Sequence, residues 1–70
     1  MNEKKEVSIN GEKRFFLNGS TLLDVVRELN LEPDRVAVEL NRAIVKREMW
    51  TVTSFDAGAE IEVVQFVGGG

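Results

Sequence analysis

The sequence predicts a small α+β domain in which a mixed sheet of four to five strands packs against one main helix. Three observations predict this fold. An Asn-Gly turn at Asn10 and Gly11 joins two strand-like runs, one later run has the apolar spacing of an amphipathic helix, and runs with a two-residue alternation follow it. A sheet with one helix packed across it is the economical way to bury a single apolar helix stripe.

The first predicted unit is a β-hairpin. Val7 and Ile9 alternate with polar neighbours, as in a half-buried strand. Asn10 and Gly11 both tolerate a positive φ, which the tightest hairpin turns require. We therefore expect residues 12–17 to return as the second strand.

One helix is predicted after the hairpin. Its apolar stripe falls at the helical spacing i, i+3, i+4, i+7 and consists of Leu22, Val25, Val26 and Leu29. Thr21 and Asp24 have the spacing of a capping box, which satisfies free backbone N–H groups at a helix start. Asn30 is a plausible left-handed stop and Pro33 prevents continuation, so we expect a helix of about three turns.

Three more strands are predicted beyond the helix. Alternation across residues 36–40 and a short apolar run at 43–45 are typical of strands, and Asn41 and Arg42 between them are interpreted as a turn. Residues 60–67 are predicted to form the last strand. We expect the first and last strands to pair in parallel at the sheet centre, which gives a β-grasp, or ubiquitin-like, arrangement.

An irregular stretch separates the last two strands. Residues 46–50 are expected to form a turn or a short 3₁₀ helix, and residues 51–55 are expected to be extended. Met49 and Trp50 are large residues in this polar surrounding. We expect them to close one end of the core, with contact to a partner as the weaker alternative.

Composition limits the chemistry that this chain can perform. The 70 residues include no His, Cys or Tyr, so a nucleophile with an imidazole base and a thiolate metal site are both excluded, and we expect neither a metal site nor a bound cofactor. The net charge of −3 argues against a nucleic-acid-binding surface. No apolar run approaches the length of a membrane span and residues 1–6 are polar, so we expect a cytoplasmic protein without a signal peptide.

The three glycines at the end of the sequence are the main candidate for a functional site. We interpret residues 1–67 as the domain and residues 68–70 as a flexible tail. Terminal glycines are most often a spacer in an arbitrary protein. Here they follow the last predicted strand directly, which favours a tail with a role of its own.

Four stretches together resemble a known family, the ThiS family of thiamine-biosynthesis sulfur carrier proteins. In chain order they are VSINGE at 7–12, TLLD at 21–24, VAVELN at 36–41 and IEVVQFVGGG at 61–70. Each stretch is a weak signal, but their order, spacing and terminal position are fairly specific, and they extend over nearly the whole chain. One departure is Gly58-Ala59-Glu60, where the family often has Gly-Asp before the last strand.

The resemblance implies a carrier function for the terminal carboxylate of Gly70. An E1-like enzyme would use ATP and magnesium to adenylate it. Sulfur from a cysteine desulfurase route would then displace AMP, and the resulting thiocarboxylate would donate its sulfur to thiazole synthase. Gly68 and Gly69 would thread a narrow channel of the partner, since residues without side chains fit where others do not. The chain itself would be a protein co-substrate and not an enzyme.

Partner contacts are predicted next to the tail. Val64 and Phe66 lie on the strand face opposite Ile61 and Val63, so a helix over the latter pair leaves the former pair exposed as a docking patch. The alternative is that strand twist folds Phe66 back onto the core, and the pattern favours neither. Lys46 is the basic residue that we expect to meet an acidic patch of the activating enzyme.

Two other sequence features have an ordinary explanation. Glu60 and Glu62 share a strand face and could suggest paired catalytic acids, but a solvated sheet edge is the better interpretation. Arg42, Lys46 and Arg47 form a loose basic group of the kind that is usually solvated.

Several functions remain open from the sequence. The same tail chemistry serves sulfur carriers for molybdopterin, cysteine and tRNA thiolation. A ubiquitin-like modifier or a plain interaction domain is a second class, and an RNA-binding β-grasp domain is a third that the acidity disfavours.

Overall fold

The computed structural model describes residues 3–66 of the chain. The predicted domain boundary at residue 67 and the glycine tail lie outside the described residues, so both stay predictions. The described part consists of five strands, one α-helix and two 3₁₀ helices, and the helices lie between the strands along the chain.

Five strands form one mixed sheet. They are β1 (Lys4–Ile9), β2 (Glu12–Leu17), β3 (Val36–Leu40), β4 (Ala43–Val45) and β5 (Glu60–Gln65). Their order across the sheet is β2-β1-β5-β3-β4. β1 and β5 pair in parallel at the centre, with Ile9 opposite Ile61, and the other neighbours are antiparallel. The predicted α+β, β-grasp fold with its parallel central pair is therefore confirmed.

The single α-helix, α1 (Leu22–Glu28), packs across one sheet face through the buried residues Leu22, Val25 and Val26. The helix begins with the predicted capping box. Thr21 Oγ1 accepts a hydrogen bond from the Asp24 N–H, and the Asp24 carboxylate accepts one from the Thr21 N–H.

The helix is shorter than the three turns expected from sequence, because its seven residues make about two turns. Asn30 has a φ of 62° and ends it. The Asn30 N–H donates to Arg27 and the Leu31 N–H donates to Val26, the bonds of a Schellman motif. Asn30 therefore stops the helix as predicted, but Leu29 already belongs to the cap.

The stretch before β5 differs from its prediction. A 3₁₀ helix occupies Arg47–Val52, so residues 51 and 52 are helical and not extended. The Thr53 hydroxyl donates to the Met49 carbonyl at 2.6 Å and holds this helix closed at its end. Only Ser54 makes a strand-like bridge, to Thr21.

The core lies between α1 and the inner sheet face. Its buried members are Val7, Ile9, Phe16, Leu22, Val25, Val26, Val36, Val38, Trp50, Phe55, Ala59, Ile61 and Val63. Trp50 is 1% exposed, so the expectation that it closes the core is confirmed. Met49 is 47% exposed, so the same expectation is wrong for Met49. We call the sheet face away from α1 the open face.

Candidate functional site

The candidate site lies at the C-terminal end of β5. Phe66 is the last described residue, and its N–H donates to the Arg35 carbonyl at 2.8 Å. Arg35 ends the first 3₁₀ helix, Pro33–Arg35, directly before β3. Gly68, Gly69 and Gly70 follow within a few residues but lie outside the described residues, so their predicted roles stay predictions.

The two faces of β5 differ as the alternation predicts. Ile61 and Val63 are buried against the core, whereas Val64 is 53% exposed and Phe66 is 58% exposed. The alternative in which Phe66 folds back onto the core is therefore wrong. Two apolar side chains stand on the open face immediately before the tail, an arrangement that suits contact with another protein.

Ile44 is a further apolar side chain on the open face, and the sequence did not lead us to predict it. Ile44 is 73% exposed and lies opposite Glu39 of β3, which in turn lies opposite Glu62 of β5. The signal was present, because strand alternation at 43–45 turns Ile44 away from its partly buried neighbour Val45.

Lys46 lies at the same end of the sheet as the base of the tail. It follows Val45, which pairs with Val38, and Val38 pairs with Val63. Lys46 is therefore level with the end of β5 and two strands away from it. Its side chain is exposed, which leaves it accessible to a partner.

The acidic residues of β5 show no arrangement for catalysis. Glu60 and Glu62 are exposed, as interpreted from the sequence. Glu60 lies 3.7 Å from Arg42, an exposed ion pair of small energetic weight. Within residues 3–66 no group of three or more His, Cys, Asp or Glu side chains is placed to hold a metal ion. No helix in that part is both long and apolar enough to cross a membrane.

Asn10 does more than the turn assigned to it by the sequence analysis. Its side-chain N–H donates to the Val63 carbonyl at 3.0 Å, and its Oδ1 accepts from the Val63 N–H at 2.8 Å. Asn41 makes a related contact at the start of β5, where its Oδ1 accepts from the Glu60 N–H at 2.9 Å. These contacts join distant parts of the chain, so no local sequence signal announces them.

The chain matches the ThiS family model over residues 4–70. It is 37% identical over 65 residues to a thiazole synthase of Magnetococcus marinus, a match that covers 93% of this chain and 20% of that protein. A thiazole synthase of Paramagnetospirillum magneticum is 37% identical over 62 residues, which are 89% of this chain and 19% of that protein. The chain thus spans about a fifth of the length of these curated relatives.

A solved structure is similar over almost its whole length. The crystal structure of the thiamine biosynthesis protein ThiS from Geobacter metallireducens superposes with a TM-score of 0.72 at 26% identity. The match covers 93% of this chain and 99% of that one.

Proposed function

The chain belongs to the ThiS family, and from this premise we propose that it is a sulfur carrier of thiamine biosynthesis, a protein co-substrate on which other enzymes act. The observation that carries the proposal is the extent of the family match. It runs to residue 70 and so includes the last strand and the three glycines, the part that a carrier would use. The likeness to a thiamine biosynthesis protein supports the same role.

The chemistry takes place at the carboxylate of Gly70. A carboxylate is a poor electrophile, so an E1-like enzyme first transfers AMP to it from ATP, with magnesium, and pyrophosphate leaves. A persulfide from a cysteine desulfurase route then attacks the carbonyl carbon and AMP leaves. A second thiol cleaves the resulting acyl disulfide, so that the sulfur donor and this thiol are left joined as a disulfide. One carboxylate oxygen is thereby replaced by sulfur, and the thiocarboxylate is the form that donates.

The composition and the fold suit this division of labour. Without His, Cys or Tyr the chain lacks the usual covalent catalysts, so activation falls to a partner. Gly68 and Gly69 carry no side chains and can enter a narrow site that the folded body cannot follow. Val64 and Phe66 then contact the partner at the base of the tail, and Lys46 meets an acidic group on it.

Thiazole synthase is the acceptor that the relatives support. Two proteins named thiazole synthase each contain a segment similar to this chain within a much longer polypeptide. A carrier and its acceptor that work together benefit from such attachment, because it raises their effective concentration. The same reasoning makes thiazole synthase the partner of this chain.

Intact-mass spectrometry tests the proposal. The mass of the isolated chain is measured first, to establish that it ends at Gly70 with a free carboxylate. It is then incubated with an E1-like enzyme, ATP, magnesium, a cysteine desulfurase with cysteine, and a thiol reductant. We expect the mass increase of one oxygen replaced by sulfur, and none when ATP is omitted. Conjugates linked to lysine side chains would instead support a ubiquitin-like modifier.

A second step identifies the acceptor. The thiocarboxylate form, labelled with radioactive sulfur, is mixed with thiazole synthase and its other substrates. We expect the label in the thiazole product. If the label stays on the carrier in this mixture, the carrier is offered to molybdopterin, cysteine or tRNA enzymes. Transfer of the label to one of these would assign the chain to another sulfur pathway.

A further inference from the structure

The last strand is held differently on its two edges. On the β3 side, a ladder of backbone hydrogen bonds involves the even-numbered residues of β5 and Phe66. At its start the Glu60 carbonyl accepts from the Asn41 N–H, and at its end the Phe66 N–H donates to the Arg35 carbonyl. On the other side β1 ends early, since its parallel register with β5 stops at Ile9 opposite Ile61. The chain then turns away into β2, while β5 continues toward the tail.

Asn10 takes the place of the strand that has turned away. Its own N–H donates to the Ile61 carbonyl at 2.9 Å, and its side-chain amide then bonds both the N–H and the carbonyl of Val63. A side-chain amide has the same donor and acceptor pair as a peptide group, so it continues the ladder by one step. The left-handed backbone of Asn10, with a φ of 52°, places the amide there.

We propose that Asn10 is a positioning residue for the end of β5, where Val64 and Phe66 are exposed. By bonding Val63, it holds β5 on both edges two residues beyond the last paired residue of β1, and so fixes the position of Val64 and Phe66 on the open face. The inference rests on the proposed function. A strand end that is already ordered loses less conformational freedom when it binds the activating enzyme, and binding is tighter for that reason.

Asn41 supplies a matched control within the same strand. It too is an asparagine with a φ of 52°, and its side chain also bonds the backbone of β5. Its contact is with Glu60, at the end of β5 remote from the tail. Glycine at either position keeps the positive φ and removes only the side-chain bonds.

The test compares Asn10→Gly with Asn41→Gly in the full chain. The activation step is followed as pyrophosphate release by the E1-like enzyme, with the carrier concentration varied. Asn10→Gly removes both side-chain bonds to Val63, and we expect the KM for the carrier to rise about fivefold with kcat unchanged. For Asn41→Gly we expect both constants to stay at the wild-type values.

Amide hydrogen exchange provides a readout that does not depend on the enzyme. Asn10→Gly should accelerate exchange at Val63, and Asn41→Gly should accelerate it at Glu60. Asn10→Asp serves as a second variant, because it tolerates the left-handed backbone but has no donor for the Val63 carbonyl. It should raise the KM as Asn10→Gly does.

Each outcome decides something specific. A wild-type chain that is adenylated, together with an unchanged KM for both Asn10 variants, overturns the positioning role alone. Equal increases in KM for the Asn10 and Asn41 variants also overturn it, since they indicate a general loss of stability. A wild-type chain that the enzyme does not adenylate overturns the proposed function, and with it this role.

Discussion

Trp50 is the largest of the fully buried side chains, and a single hydrogen bond fixes its position. Its indole N–H donates to the Val45 carbonyl at 2.9 Å, which ties the second 3₁₀ helix to the end of β4. The ring fills one end of the core, and its polar atom has a partner, as buried indoles usually do. Its neighbour Met49 points to solvent.

Replacing Trp50 by phenylalanine should lower the free energy of unfolding by about 2 kcal/mol, because it leaves a cavity and removes the indole hydrogen bond to the Val45 carbonyl. Urea denaturation followed by circular dichroism measures this, since Trp50 is the one tryptophan and fluorescence would be lost with it. Met49→Ala is the control and should change stability by less than about 0.5 kcal/mol. Equal stability of Trp50→Phe and wild type would contradict this account.

Phe66 is the larger side chain of the proposed docking patch, which consists of Val64 and Phe66. Phe66→Ala should weaken binding to the activating enzyme while the melting temperature stays near wild type, because the ring is 58% exposed. Phe15→Ala is the matched control, since Phe15 is 63% exposed on the open face but lies on β2 at the sheet flank. Titration calorimetry with each variant compares them, and equal affinities for all three proteins would remove Phe66 from the interface.

At the scale of elements, the β3–β4 turn shows a local cost in the fold. Its two residues, Asn41 and Arg42, have φ values of 52° and 74°. Asparagine tolerates this region, but arginine does so only at a cost of about 1 kcal/mol. The ion pair from Arg42 to Glu60 is exposed and offsets little of that cost.

Arg42→Gly should therefore raise the free energy of unfolding by roughly 0.5–1 kcal/mol, even though it removes the ion pair. Glu60→Gln removes the same ion pair without relieving the turn. It should change stability by less than about 0.5 kcal/mol, which urea denaturation of both variants can establish. A loss of stability in Arg42→Gly would show that the side chain contributes more than its backbone costs.

Local patterns predicted most elements because those elements depend on near neighbours. The hairpin follows from Asn10 and Gly11, and the helix start follows from Thr21 and Asp24, which are three residues apart. The conformation of residues 51–55 depends on tertiary contacts instead. Trp50 turns inward to bond the end of β4, and the backbone beyond it stays helical for that reason.

At the scale of the whole molecule, the strand order was predictable, but the side-chain hydrogen bonds that hold β5 were not. A hairpin, one crossover helix and an antiparallel pair leave few ways to cover one apolar helix stripe. The amide of Asn10, in contrast, bonds a residue 53 positions away, and no periodicity reports such a contact. For the same reason the candidate site was predicted as surface residues without the residue that aligns them.

The body and the tail should also be separable by mutation. Gly69→Val adds a β-branched side chain to the tail and none to the folded body. We expect the melting temperature to stay at the wild-type value and adenylation to be lost, because a β-branched side chain would not fit the narrow channel proposed for the glycines. Scanning calorimetry and pyrophosphate release measure the two effects. Normal adenylation of this variant would contradict the threading role of the glycines.

The central place of β5 has a mechanical consequence. Against a force along the axis of β5, the strand has bonded neighbours on both sides, β1 and β3. Those hydrogen bonds run across the direction of the force, so they are loaded together in shear and do not open one after another. The sheet therefore resists traction on the C-terminal end of β5 through several hydrogen bonds at once.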